Sequence, residues 1–272
     1  MSRRTPPHRL LLWGLVSLIY AFMLVPIAIT AAVSFNAADR SYFPPRGFSL
    51  HWWAMAASPQ WTAPFLFSLK LAALSAIATA VLGLPLALAL RRPAFIGRSV
   101  LLALIMGPLV LPSLVTGIAL LQFLTIAGVG AWLGLPALIV GHVIICIPFM
   151  VRTLLISLEA IPRNAEIAAA SLGASHLVVL REVTLPLARS GAGAGMIFAF
   201  ISSFDDINLA LFVARPGQQP LTVQIMQFLE YGFSPTLAAL SILSLLVPLV
   251  LVAVFGRLVG IGHFIYQDHG HA

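Results

Sequence analysis

The chain has 272 residues, of which 60% are hydrophobic and only 8% are charged, and its formal net charge is +7. Soluble domains carry about 25% charged residues, so these few charges cannot cover a water-exposed surface of this size. The composition excludes soluble enzymes, DNA-binding domains and disordered proteins, and it leaves a polytopic membrane protein with no nucleic-acid partner. Its one cysteine excludes an internal disulfide framework and a multi-cysteine site, so we expect no bound metal.

Six apolar stretches are long enough to cross a bilayer, which takes about 20 helical residues. None alternates in polarity as the strand of a membrane barrel would, so we predict an all-α protein with six transmembrane helices. The stretches are 10–35, 63–90, 100–124, 135–155, 190–213 and 237–259. The first follows a basic segment, but its apolar run exceeds the roughly 7–15 residues of a signal peptide, so we expect an uncleaved helix.

The arginines predict the orientation of these spans. If the N-terminus is cytoplasmic, eleven of the fourteen arginines fall in inner segments, and only Arg40, Arg46 and Arg215 fall outside. Short cytoplasmic loops are enriched in Lys and Arg. We therefore predict that both termini lie in the cytoplasm.

The longest predicted cytoplasmic segment, 157–189, has the local signals of two short helices. The alanine-rich stretch 163–172 favours a helix, and Gly173 suits the left-handed position that ends one. Ser175 is expected to cap a second helix that ends at Thr184, and Pro186 suits the first turn of the next span. The small residues would let another backbone approach closely, so we predict a cytoplasmic helix-turn-helix that docks a partner.

This loop resembles the cytoplasmic loop of the inner-membrane permeases of binding-protein-dependent (type I) ABC importers. Their pattern is Glu-Ala-Ala, three residues, Gly, and after about nine residues a hydrophobic-x-Leu-Pro end. The residues in register are Ala168, Ala169, Gly173, Val183, Leu185 and Pro186. The chain departs from the pattern at the glutamate, because Ile167 holds that position and Glu166 comes one residue earlier.

The resemblance implies that the loop couples the permease to a separate ATPase. The implied coupling residues are Glu166, Ala168, Ala169, Ala170, Gly173, Ala174, Ser175, Leu185 and Pro186. It further implies one permease domain over 1–272, half of a translocation pathway in the bacterial inner membrane, and alternating access. Implied partners are a homologous permease in a heterodimer, two ATP-binding subunits and a periplasmic binding protein. The chain lacks a G-x-x-x-x-G-K-[ST] motif, so we expect no catalytic residue here, with ATP and Mg bound by the partner ATPase.

Three charges that the arginine count does not assign to a cytoplasmic end fall inside predicted spans, where charged residues are functional candidates by default. Asp205 and Asp206, in the fifth span, form either a negative site on a cation path or a structural polar cluster with nearby serines and Asn208. Lys70, in the second span, either snorkels outward or pairs with an acidic group. The residues alone leave both alternatives open.

The stretch Ser203-Phe-Asp-Asp206, the Pro216-Gly217 turn and Pro235 before the sixth span resemble the spermidine/putrescine permease subfamily. This implies a small cationic or nitrogen-containing cargo such as a polyamine, with an opine or aminoethylphosphonate as the alternative. The candidate pathway residues are Phe204, Asp205, Asp206, Asn208, Glu230 and Tyr231. A secondary transporter is the more distant alternative, but no internal repeat is visible. The scattered histidines disfavour a membrane enzyme, and we expect His142 to be buried and bonded to a neighbouring helix.

Overall fold

A computed structural model describes residues 7–92, 95–230 and 232–259, and the regular elements within those ranges are all helical. Five of the described helices are long and apolar enough to cross a membrane, and a bent pair of shorter helices makes a sixth if it counts as one span. The helices are α1 (Pro7–Ser34), α2 (His51–Ala56), α3 (Pro59–Arg91), α4 (Arg98–Met106), α5 (Ser113–Ile126), α6 (Leu135–Glu159), α7 (Arg163–Ser171), α8 (His176–Val179), α9 (Leu185–Asp205), α10 (Ala210–Val213), α11 (Leu221–Leu229) and α12 (Pro235–Val259).

Four predicted spans are single continuous helices. The stretches 10–35, 63–90, 135–155 and 237–259 correspond to α1, α3, α6 and α12, with ends that differ by at most four residues. Each of these helices contains at least one proline in its interior. Membrane helices tolerate interior prolines because neighbouring groups satisfy the freed backbone atoms.

The third predicted span, 100–124, is wrong as a single helix. The chain forms α4 and a short 3₁₀ turn, Gly107–Leu109, and then turns by 106° into α5. Pro112 stands directly before α5 in an extended conformation, with ψ 137°. Because proline has no N–H, Pro108 cannot continue the hydrogen bonding of α4, and the extended Pro112 stands where α5 starts.

The fifth predicted span, 190–213, is wrong at both ends. Its helix starts earlier, because α8 runs through a π-helical turn, Leu180–Thr184, directly into α9. The second loop helix is therefore continuous with the span. Pro186 cannot donate a backbone hydrogen bond to the preceding turn, which accounts for the wider turn there. The helix also ends earlier, at Asp205, since Asp206 is extended with ψ 128°.

The chain divides into two compact units, each with its own internal packing. The first comprises residues 1–62 and 227–249, as far as they are described. There Phe35 stacks on Phe48 and on Trp53, each at 5.3 Å between ring centroids, and Trp61 packs on Phe228 at 4.7 Å. These aromatic contacts join α1, α2 and the adjoining segments of this unit.

The second unit comprises residues 63–226 and 250–272, again as far as they are described, and within it α6 and α9 pack closely against each other. Glycines on α9 make this contact possible. A methyl group added at Gly191 would touch Ser157 and would lie 2.6 Å from the carbonyl oxygen of Thr153 on α6. At Gly195 the added group would lie 3.0 Å from Cα of Met150. Small residues spaced four apart let membrane helices approach at backbone distance, and here they do so between α9 and α6.

Replacing Gly191 with leucine should destabilise the protein, because the side chain would meet backbone rather than a movable side-chain tip. Overpacking of this kind costs about 1–3 kcal/mol. Thermal unfolding of the detergent-purified protein should show a lowered midpoint for Gly191→Leu. Gly14→Leu, at a glycine of α1 with nothing within 4 Å of an added methyl, is the matched control and should unfold near the wild-type temperature. Equal midpoints for the two variants would contradict this account of the α6–α9 contact.

Candidate functional site

Two interrupted helices of the second unit line one cavity of about 590 Å³. One wall is the bend between α4 and α5, and another is the end of α9 with the segment after it. The lining residues are Pro108, Leu109, Leu111, Ser113, Ile145, Phe149, Ile201, Ser202, Asp205, Asp206, Ile207 and Asn208. Sequence reasoning found the acidic pair and Asn208 but missed the opposite wall, although the spacing of Pro108 and Pro112 was a usable signal for a break.

Asp205 and Asp206 have different surroundings although they are adjacent. Asp205, the last residue of α9, is exposed towards the cavity. The Asp206 side chain is only 6% exposed, and its Oδ2 accepts hydrogen bonds from the backbone N–H groups of Leu209 at 3.0 Å and Ala210 at 3.4 Å. This is the geometry of a helix N-cap, so Asp206 stabilises the turn that follows the break. Only Asp205 offers a carboxylate to the cavity without such bonds to the backbone.

A buried polar contact connects α6 to the end of α9. His142 is fully buried, and its Nδ1 lies 2.5 Å from Oγ of Ser203, which confirms the prediction of a buried histidine bonded to a neighbouring helix. Its other ring nitrogen, Nε2, lies 3.7 Å from Oδ2 of Asp206 and has no hydrogen-bond partner among the described residues. The imidazole of His142, bonded to Ser203, thus lies directly beside the capping carboxylate of Asp206.

The segment after the break is also fixed from the side of α5. Asn208 donates from Nδ2 to Oγ of Ser113 at 3.3 Å, which joins the two interrupted regions directly. The next residue, Leu209, is fully buried between two glycines. A methyl group at Gly117 would lie 2.9 Å from its Cα, and one at Gly141 would lie 2.6 Å from its side chain. The cavity wall is therefore packed rather than loose.

The remaining pathway candidates do not gather at this cavity. Phe204 is buried, stacks on Phe200 at 6.1 Å between centroids, and does not line the cavity. Glu230 is exposed and follows the end of α11, and Tyr231 lies outside the described residues. Lys70 is exposed, and within the described part of the chain no carboxylate forms an ion pair with it.

In the loop 157–189, α7 ends in a turn centred on Gly173. Gly173 has φ +87°, and its N–H donates to Ala170, while the N–H of Ala174 donates to Ala169. This pair of bonds is the Schellman arrangement, which needs the left-handed backbone that glycine adopts without strain. Ser175 precedes α8 in an extended conformation but makes no side-chain capping bond, contrary to the expectation from sequence.

Apolar side chains on this loop are exposed next to small ones. Ile167 is 60% exposed, Leu172 90% and Leu177 72%. Of the other predicted coupling residues, Ala168, Ala170, Gly173, Ser175 and Pro186 are exposed, and Ala169, Ala174 and Leu185 are half-buried. Such a surface favours contact with another apolar surface over contact with water.

Glu166 is not part of this exposed surface, because its carboxylate bonds to other elements of the same unit. Its Oε1 accepts hydrogen bonds from Nη1 of Arg91 at 2.6 Å and from Oγ1 of Thr184 at 2.7 Å. The hydrogen bond from Arg91 is the main reason that the pKa of the Glu166 carboxyl is lowered, with the bond from Thr184 adding to it and burial opposing it. Glu166 is therefore charged at neutral pH. Its partner Arg91 lies 75 positions away, and no local pattern in the sequence indicates the pairing.

Interrupted membrane helices around a cavity with two acidic residues, together with an exposed apolar loop, are features expected of a membrane permease. The family model described as "Binding-protein-dependent transport system inner membrane component" matches residues 79–261, so the chain belongs to that family. Members are inner-membrane components of type I ABC importers. This chain is thus a transporter subunit and not an enzyme, since ATP hydrolysis belongs to a separate partner. Membership of this family excludes the alternative that the chain is a secondary transporter.

Two curated relatives and one solved structure support the assignment. The chain is 31% identical over 245 residues to the spermidine/putrescine transport system permease protein PotC of Escherichia coli, covering 90% of this chain and 92% of that one. It is 30% identical over 241 residues to the putrescine transport system permease protein PotI of E. coli, covering 86% and 85%. A bacterial ABC transporter involved in the import of the acidic polysaccharide alginate has the same fold, with a TM-score of 0.69, 16% identity and full coverage of both chains.

The two carboxylates should respond differently to truncation. Asp206→Ala removes a helix cap and should cost about 1 kcal/mol of folding free energy, within a range of roughly 0.5–2, whereas Asp206→Asn keeps an acceptor and should cost less. Asp205→Ala removes no bond to the backbone and is the control. Thermal unfolding in detergent measures all three, and a loss for Asp205→Ala equal to that for Asp206→Ala would refute the division of roles.

Proposed function

We propose that the chain is the permease subunit of an ATP-driven importer for a small cationic solute, a polyamine such as spermidine or putrescine. The single observation that carries the cargo class is the exposed Asp205 carboxylate in the cavity. Asn208 and two serines add polar groups to the same walls. A carboxylate in a membrane cavity attracts ammonium groups and repels an anionic cargo. The names of PotC and PotI agree with this class.

The chain forms half of the translocation pathway, and a different, homologous permease forms the other half. Two ATPase subunits bind ATP and Mg on the cytoplasmic side, and a periplasmic binding protein delivers the cargo. ATP binding favours an outward-open state and hydrolysis resets the inward-open one, so that nucleotide and cargo shift a two-state equilibrium. The closest alternative keeps the importer class and replaces the polyamine with an opine or aminoethylphosphonate.

The loop 157–189 is the ATPase contact, and both termini lie in the cytoplasm. The support is the exposed apolar set Ile167, Leu172 and Leu177 around the Gly173 turn, together with the distribution of arginines. A short apolar helix seated in a groove of a partner subunit is a common mode of recognition. On this proposal the helix-turn-helix moves with the ATPase.

Asp205→Asn should weaken uptake of a cationic cargo. Losing one charge-assisted hydrogen bond corresponds to about a tenfold or larger rise in KM. The measurement is uptake of labelled spermidine and putrescine by the complete importer in proteoliposomes, with Asp39→Asn, an exposed carboxylate of the first outer segment, as the matched control. Unchanged KM for both polyamines would rule out Asp205 as a cargo contact. Uptake of aminoethylphosphonate in place of either polyamine would support the alternative cargo.

A Ser175→Cys variant tests the orientation and the ATPase contact together. The native cysteine, Cys146, is fully buried and should not react, whereas Ser175 is exposed. A membrane-impermeant maleimide should label the introduced cysteine only from the cytoplasmic face, and the bound ATPase should protect it. Asp39→Cys is the control and should be labelled only from outside. Labelling of Ser175→Cys from outside would overturn the topology, and undiminished labelling in the complex would overturn the contact.

A further inference from the structure

Glu166 is the meeting point of three elements of the second unit. It lies on α7, and one of its carboxylate oxygens accepts from Arg91, the last residue of α3, and from Thr184, in the π-helical turn before α9. Charge-assisted hydrogen bonds are about twice as strong as neutral ones. A single side chain thus joins α7 to the ends of two long helices.

The surroundings make this contact firmer than an ordinary surface ion pair. The side chains of Arg91 and Glu166 are 20% and 26% exposed, and Thr184 is buried. The other charged pair of the loop, Arg181 with Glu182, has a distance of 3.7 Å and exposures of 82% and 67%. Fully solvated pairs of that kind contribute little, so the two pairs form a natural comparison within one loop.

The end of α3, which carries Arg91, is also anchored to neighbouring helices. Arg98 donates from Nε to the carbonyl oxygen of Leu90 at 3.2 Å. Leu90 belongs to a buried cluster with residues of α4, α6 and α9, among them Ile105, Leu154 and Ala188. Because close-packed interiors transmit displacement, a force applied at Arg91 moves a packed unit rather than one side chain.

Neighbouring side chains of α7 point in different directions and make different contacts. Successive residues of a helix point about 100° apart, so Glu166 and Ile167 face different sides. Glu166 faces Arg91 and Thr184, whereas Ile167, at the position of the family's glutamate, is 60% exposed. The covalent chain ties α7 to α6 and, through α8, to α9, whereas the Glu166 ion pair joins α7 directly to α3.

We propose that Glu166 is a positioning residue inside the permease, which transmits movement of α7 to α3 through Arg91 and to the start of α9 through Thr184, and that it does not bind the ATPase. This rests on the proposed function of the loop. Breaking the Arg91–Glu166 ion pair leaves the apolar docking surface in place, but α7 can then move without displacing α3 directly. ATP is then hydrolysed with less cargo moved.

The test is the number of cargo molecules moved per ATP hydrolysed by the complete importer in proteoliposomes, together with co-purification of the ATPase subunit. Glu166→Gln and Arg91→Gln should each lower the ratio about threefold or more while the ATPase still co-purifies. Thr184→Val, which removes the neutral bond, should lower it less. Arg92→Gln, at the exposed charge next to Arg91, is the control and should keep the wild-type ratio.

The charge-swapped double variant Arg91→Glu with Glu166→Arg tests whether the ion pair itself carries the effect. It should recover at least half of the ratio lost by the single variants, because it restores a pair of opposite charges between α3 and α7. A wild-type ratio for Glu166→Gln, or a double variant no better than the worse single one, overturns the proposal. Loss of the ATPase in Glu166→Gln also overturns it, because the carboxylate would then contact that subunit.

The failure of the proposed function has a separate signature. Leu172→Asp places a charge on the 90% exposed apolar position and should release the ATPase. If Leu172→Asp keeps the ATPase and the Ser175→Cys label is not protected, the loop is not the docking surface, whatever the ratio in the Glu166 variants. If Leu172→Asp releases the ATPase while Glu166→Gln leaves the ratio unchanged, the docking surface stands and the transmission role fails.

Discussion

The backbone contact between α6 and α9, made possible by glycines at 191 and 195, is the constraint on which the second unit depends. α6 contributes His142 and part of the cavity wall, α9 contributes Ser203 and Asp205, and the loop 157–189 joins the two helices at their other ends. Two helices in contact at this distance cannot slide independently without clashes between main-chain atoms. On the proposed function, this stiff pair of helices transmits a displacement of the loop to the cavity.

Apolar length located most of the helices, because the thickness of the hydrocarbon layer sets the number of residues a span needs. Length alone did not locate the interruptions. At 100–124 the apolar run continues through Pro108 and Pro112, so hydropathy gives one span where the backbone cannot form one helix. At 205–206 the helix ends because Asp206 turns its carboxylate to the following N–H groups, and that choice depends on packing by α5 and α6.

The candidate site was found only in part for the same reason. Two acidic residues in a span are visible in the sequence, but their different environments are not. They arise from the break in the helix, where Asp206 accepts hydrogen bonds from Leu209 and Ala210, and from the packing of the distant His142 beside it. Phe204 belongs to the same motif as the acidic pair and yet packs in the core, since adjacent residues of a helix face different directions. The link between Arg91 and Glu166 likewise joins residues distant in sequence, and only the fold brings them together.

Adjacent aspartates with separate tasks have a consequence for how such a permease diversifies. Asp206, at the break, is buried and accepts hydrogen bonds from the backbone, while the neighbouring Asp205 is exposed and makes no such bonds. On the proposed function, selection for a new cargo can therefore act on position 205 without first lowering the stability of the fold. Position 206 lacks that freedom, because each change there is first a change in stability, and most proteins have only a small margin of stability to lose. Two adjacent residues thus divide the work, one available to contact cargo and the other maintaining the shape of the helix end.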